Sequence, residues 1–175
     1  YAPDWIQELV GGWDTTSSIL AGFSLSLKNG GTDRKMVINL SAGQTGSLPT
    51  SNDVFSEEAV DRNGALASQY MASLLIRGYD FVVVQSAGNG AADGLGVDAR
   101  YNGLFAAIDA DNCVTANGKV TVTAQDIMDR VIIVGAAGEQ DENGVYMQAS
   151  FSNGGDQVDI AAPGVSIYST VAGGY

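Results

Sequence analysis

A long stripe of apolar residues at helical spacing, set between two short apolar runs, constrains this chain more than any other feature. The stripe is Ala59, Val60, Leu66, Tyr70, Met71, Leu74 and Leu75, and it predicts a helix from about Ser56 to Arg77, stopped by Gly78. Before it, Met36-Val37-Ile38-Asn39-Leu40-Ser41 reads as a short buried strand. After it, Phe81-Val82-Val83-Val84-Gln85-Ser86 reads as a strand that is apolar on both faces. A connection of that length cannot be a hairpin, so the two strands are expected to pair in parallel through a right-handed crossover. An earlier stripe at Ile19, Leu20, Phe23 and Leu27 predicts a helix over 15–29, with Thr15 or Thr16 as its cap and Asn29-Gly30-Gly31 as its stop.

The second half is more broken. Gly88 to Gly96 is too rich in glycine for regular structure, and residues 97–112 show no clear period. Val114 to Val122, turning at Asn117-Gly118, predicts a hairpin, because Asn-Gly tolerates the positive φ of a tight turn. Val131-Ile132-Ile133-Val134 predicts another buried strand, Glu139 to Gly144 a charged turn, and Val158 to Ala161 a short strand stopped by Pro163. The expected architecture is one α/β domain with a mostly parallel sheet and helices on both faces.

Composition removes several kinds of chemistry. Twenty Asp and Glu against eight Lys and Arg give a formal charge of -12, which repels phosphate backbones, so no nucleic-acid partner is expected. The apolar runs are far shorter than the roughly 20 residues that span a bilayer, so no membrane span is expected. With no histidine, these residues cannot complete a Ser-His-Asp or Cys-His arrangement or a His-ligated zinc site. The single cysteine, Cys113, forms no internal disulfide and reads as a small buried hydrophobe.

Chemistry in such sheets gathers beyond the carboxyl ends of the strands. Three strands here end in small or polar residues: Ser41-Ala42-Gly43, Ser86-Ala87-Gly88-Asn89-Gly90 and Gly135-Ala136-Ala137. Each could be no more than a tight turn. Asn89 is the sharpest point, since a carboxamide between two glycines can aim its N–H at developing negative charge, although Asn also favours turns for ordinary reasons. A dinucleotide loop is disfavoured, because Asp93 stands at the third glycine position and would face a pyrophosphate. Asp109-Ala110-Asp111-Asn112 opens like a calcium loop, but Val120 stands where such a loop needs Glu.

Taken in order, four segments resemble the subtilisin-like serine proteases: 37–43, 82–90, 131–136 with 149–155, and 162–170. The resemblance implies that Asn89 is the side-chain donor of the oxyanion hole. It implies that Ser41, Ala42 and Gly43 line the primary specificity pocket and bond an extended polypeptide substrate, with Ser86, Ala87 and Gly88 as the opposite wall. Val97 to Phe105 departs from the family pattern and does not align with it residue by residue; the resemblance makes this stretch a candidate for the base of the pocket. The family's triad would lie outside these residues, its Asp and His before Tyr1 and its Ser after Tyr175, so residues 1–175 are expected to be a partial peptidase domain, inactive alone and needing those segments as partners. The resemblance further implies a secreted or cell-surface bacterial enzyme with no required cofactor. Calcium is common in the family, but no site for it can be traced in this sequence. A catalytically dead fold that binds peptides is the alternative.

Overall fold

The computed structural model describes residues 15–43, 50–53, 56–113 and 122–168. The hairpin expected at 114–122 therefore lies almost wholly outside the described residues. In chain order the elements are α1 (Thr15–Gly30), β1 (Lys35–Leu40), α2 (Glu57–Ile76), β2 (Asp80–Ser86), two 3₁₀ turns (Ala99–Asn102 and Leu104–Ala107), α3 (Ala124–Met128), β3 (Val131–Gln140), β4 (Tyr146–Gln148) and β5 (Ile160–Pro163).

The strand–helix–strand reading holds. β1 pairs with β2 in parallel, from Lys35 opposite Asp80 to Leu40 opposite Gln85. β2 pairs with β3 in parallel, from Val83 opposite Val131 to Ser86 opposite Val134. β5 joins β3 in parallel, and β4 is the one antiparallel member of this mostly parallel five-stranded sheet. α2 starts where the helix was expected to: the Ser56 side chain accepts a hydrogen bond from the Ala59 N–H, with Glu57 and Glu58 in the first turn.

One face of the sheet carries Phe81, Val83, Val131 and Ile133 and, on β1, the half-buried Met36, Ile38 and Leu40. Both long helices pack on that face. Phe23 of α1 sits at the centre, with ring centroids 5.4 Å from Phe81, 5.5 Å from Tyr70 of α2 and 5.8 Å from Phe105. The contacts to Phe81 and Phe105 are edge-on, the arrangement that sets the positive edge of one ring against the face of another. The Tyr70 hydroxyl, buried among these rings, donates to the Leu20 carbonyl at 3.0 Å and shares a 2.7 Å hydrogen bond with Ser24 Oγ.

Several elements differ from expectation. β1 is not buried on both sides: Lys35, Val37 and Asn39 are exposed, because this edge strand meets helices on one face only. β3 runs on through Gln140, so the charged turn shrinks to Asp141–Gly144. The small residues at its middle do not end the strand. They let neighbours approach, since a Cβ on Gly138 would meet the Ala149 backbone at 3.3 Å. β5 is shifted by two residues and includes Pro163, which is tolerated at a strand end. Residues 97–112 fold into the two 3₁₀ turns.

The packing of α2 generates a prediction whose sign opposes propensity. Gly64 is buried in mid-helix, where alanine ordinarily gains about 1 kcal/mol. Here a Cβ would strike the Ala107 carbonyl and the Asn112 carboxamide. Gly64→Ala is therefore expected to lower stability by about 1–3 kcal/mol in urea unfolding, the range of overpacked sites. A gain would show that this contact is not tight.

Burial also holds the Tyr70 phenol protonated, pushing its pKa from 10.0 up to about 12. A group whose folded pKa is raised contributes stability that is fully present below its unfolded pKa and lost as pH rises through the folded one. The wild type should thus lose up to about 3 kcal/mol between pH 10 and 12 that Tyr70→Phe does not lose. Parallel stability profiles for the two proteins over that range would contradict the assignment.

Candidate functional site

β1 and β2 end side by side, and the loops that leave them enclose an open groove of about 310 Å³ lined by Ser41, Ala42, Gly43, Ser86, Gly88, Asn89 and Asn102. Six of the seven residues singled out from the sequence meet there. Ala87 does not line the groove. It lies beneath it, 1% exposed, packed with Ala99, Ala106 and Ile133, because its position in the run turns its methyl inward. All seven lining residues are uncharged.

Asn89 stands exposed on the rim, and its carboxamide makes no hydrogen bond among the described residues. The glycines on either side explain how it gets there. Gly88 has φ 103° and Gly90 φ 79°, both left-handed, and a Cβ on Gly90 would strike the Leu95 carbonyl. The two turns swing the chain out after β2 and bring it straight back, leaving Asn89 at the apex.

The returning loop is held by a residue that sequence reasoning gave no role. Asn153 is 1% exposed, and its Oδ1 accepts from the backbone N–H of Gly90 at 3.0 Å and of Val97 at 3.1 Å. Its Nδ2 donates to the Ala87 carbonyl at 2.8 Å, and its own N–H donates to the Gly88 carbonyl at 3.0 Å. Ser152 anchors this clamp to the sheet, accepting from the Ala136 N–H at 2.8 Å and donating to the Asn153 carbonyl at 3.0 Å. On the outer side, Asp93 accepts from the Ser51 N–H at 2.6 Å and the Leu95 N–H at 3.1 Å, which ties the loop after β1 to the loop after β2. Those hydrogen bonds, with Ser51 first, hold its carboxyl below the usual carboxylate range.

The floor of the groove comes from the region the family pattern left unaligned. Asn102, 2% exposed at the end of the first 3₁₀ turn, donates from Nδ2 to the Ser86 carbonyl at 2.7 Å. Its carboxamide fills the space a Cβ on Gly43 would need, so floor and both walls touch. The Asp109–Asn112 stretch is a self-contained turn: Asp109 Oδ1 accepts from the N–H groups of Asp111 and Asn112. Among the described residues no three His, Cys, Asp or Glu side chains come together as metal ligands. Cys113 is half-buried beside the core, and burial raises its thiol pKa.

The model of the subtilase family matches residues 12–174. Two sequences of subtilisin-like protease 1 from Arthroderma otae are each 36% identical over 96 residues, covering 53% of this chain and 18% of the relative. The chain thus corresponds to about a fifth of the length of those relatives. No solved structure matches.

The clamp should be separable from the groove it supports. Asn153→Ala leaves two N–H groups and a carbonyl without their side-chain partner, and is expected to lower stability by about 3 kcal/mol. Amide exchange at Gly90 and Val97 should rise well beyond the change in the core strands. Uniform acceleration across the chain would mean that Asn153 supports the fold at large and not this loop.

Proposed function

The chain belongs to the subtilase family, a family of serine endopeptidases, and from that premise we propose that it is the central part of an endopeptidase that cleaves polypeptides through an acyl-enzyme. The observation that carries this reading is Asn89: a carboxamide with no hydrogen-bond partner among the described residues, at the mouth of a groove, held by backbone that is itself held from below. In this reading the scissile carbonyl lies beside Asn89, and the substrate runs along Ser41–Gly43 by backbone hydrogen bonds. Ser86–Gly88 form the other wall. Attack by a serine Oγ on the carbonyl carbon passes the hydroxyl proton to a base and moves the π electrons onto oxygen. The Asn89 N–H donates to that oxyanion, which is more charged in the transition state than in the ground state. Collapse breaks the C–N bond as the base hands its proton to the leaving amine; water, deprotonated by the same base, then attacks the acyl ester, and the proton returns to the serine Oγ as the acid is released.

The nucleophile and base are not among these residues. Without histidine the Asp-His-Ser triad cannot be completed here, so we place it in other segments of the same protein. These chemical steps need no cofactor. The family resemblance alone supports a secreted or cell-surface location and leaves a calcium site unassigned.

In the full-length protein, Asn89→Ala should lower kcat roughly 10²–10³-fold with little change in KM, the magnitude known for the side-chain donor of subtilisin itself and taken over from it. An unchanged kcat would remove Asn89 from the reaction. A wild type that binds peptides yet resists an active-serine probe would instead make the groove a peptide-binding module.

A further inference from the structure

We infer that Gln85 is a positioning residue: it holds a strained turn against the groove so that Asn102 forms the floor and limits which substrate side chain can enter. This deepens the peptidase reading and rests on it for the substrate.

Gln85 occupies an unexpected place. It lies on the helix-covered face of β2, in line with Phe81 and Val83, and is fully buried where alternation calls for a third hydrophobe. A buried carboxamide is tolerated when its donors and acceptor are used. Its Nε2 donates to the Ala42 carbonyl at 3.3 Å and to the Gly103 carbonyl at 3.2 Å, and its Oε1 accepts from the Phe105 N–H at 3.0 Å. The last two groups flank Leu104. Gln85 therefore grips the backbone on both sides of that residue, as a neighbouring strand would, and with its remaining donor reaches the wall that follows β1.

Leu104 is the reason such a grip is needed. It has φ 52° and is one of two non-glycine residues with positive φ among the described residues. A leucine in the left-handed region persists only where its surroundings over-determine it. Gly103, with φ 69° and ψ -162°, completes the reversal between the two 3₁₀ turns. The residue just before this reversal is Asn102, bonded to the carbonyl of Ser86 and seated against Gly43. Three segments distant in sequence, 41–43, 85–86 and 102–105, are thus joined through two carboxamides. Releasing Gln85 would let Leu104 relax to an ordinary conformation and carry Asn102 away from both walls.

The substrate class follows from the lining. Among the described residues no charged group lines the groove, so a charged side chain entering it would lose hydration without a partner there. The side chain accepted next to the scissile bond is accordingly uncharged, with its length limited by the Asn102 carboxamide.

The test uses the full-length protein and peptides that differ only at that position: Ala, Gln, Phe, Lys and Glu. The wild type should favour the uncharged peptides over Lys and Glu by at least about tenfold in kcat/KM, and Asn102→Ala should raise the Phe-to-Ala ratio about tenfold, the scale of pocket-size discrimination. Gln85→Met, similar in length but without hydrogen bonds, should flatten the profile and raise KM more than it lowers kcat. Amide exchange at Gly103–Phe105 should speed up about tenfold more than in β2 and β3. A Gln85→Met protein with lowered Tm but an unchanged side-chain ranking and no selective exchange would reduce Gln85 to a core residue. A preference for Lys or Glu would overturn the substrate class. If Gln85→Met fails to fold, Asn102→Ala still decides the floor. Should the wild type cleave no peptide, the peptidase reading fails by itself, and the exchange measurement still decides whether Gln85 holds the turn.

Discussion

Where β1 and β2 leave the sheet, their backbone groups lose their ladder partners, and buried carboxamides take the ladder's place. Everything at the groove depends on that substitution. A buried backbone N–H or carbonyl without a partner forfeits about as much as a hydrogen bond is worth, so loops usually stay in water. Here the loops after β1 and β2 are drawn inward. Gln85, Asn102 and Asn153, each at most 2% exposed, supply the missing partners. An amide suits the task because it offers donors and an acceptor at once without carrying a charge that would have to be desolvated.

The glycines and small residues serve the same end from the other side. Gly43 leaves room for the Asn102 carboxamide, Gly90 for the Leu95 carbonyl, and Gly96 for the Ser152 carbonyl. Each is a point where a polar group reaches the backbone of another stretch of chain, within the loop after β2 at Gly90 and between loops at Gly43 and Gly96, at a distance no side chain would permit. Close approach makes short hydrogen bonds available, and the amides then fix the approach. The groove walls are tied to one another because these two conditions occur together, although almost none of the groove is built from regular secondary structure.

Much of this was legible in the residues, and the parts that were not failed for physical reasons. Helical spacing and Ser56 located α2, the apolar runs located β2 and the start of β3, and the Gly-Asn-Gly turn drew attention to Asn89. Gln85 was invisible because it closes an apolar run, and a strand residue's neighbours across the sheet are not adjacent in sequence. Asn153 sat in a serine- and glycine-rich return that reads as an exposed turn, and only the fold shows that it lies under the loop after β2. Asn102 ends the first of two short 3₁₀ turns, which have no period to detect. α3 was different, for its signal was present: Thr123 and Asp126 form a reciprocal capping box, which a search for that spacing would have found. β4, three exposed residues held to β3 across a turn, carries only the short apolar run Val145-Tyr146-Met147, too brief to show a strand period.

The carboxamides around the groove divide into two kinds, and the division is what gives the site its chemical meaning. Those beneath it are buried and engaged, while the one on its rim is exposed and, among the described residues, unengaged. A donor that is to meet charge developing on a substrate gains most when it need not first break a bond to its own protein and need not reorganise as the charge appears. Its orientation must then come from somewhere other than its own hydrogen bonds. For Asn89, in the donor role proposed above, it comes from the two left-handed glycines beside it and from the Asn153 carboxamide, which binds the backbone on both sides of the apex. Freedom of the side chain and rigidity of its backbone are thus provided by different residues, and a sequence can carry the first on its surface only if it hides the second inside.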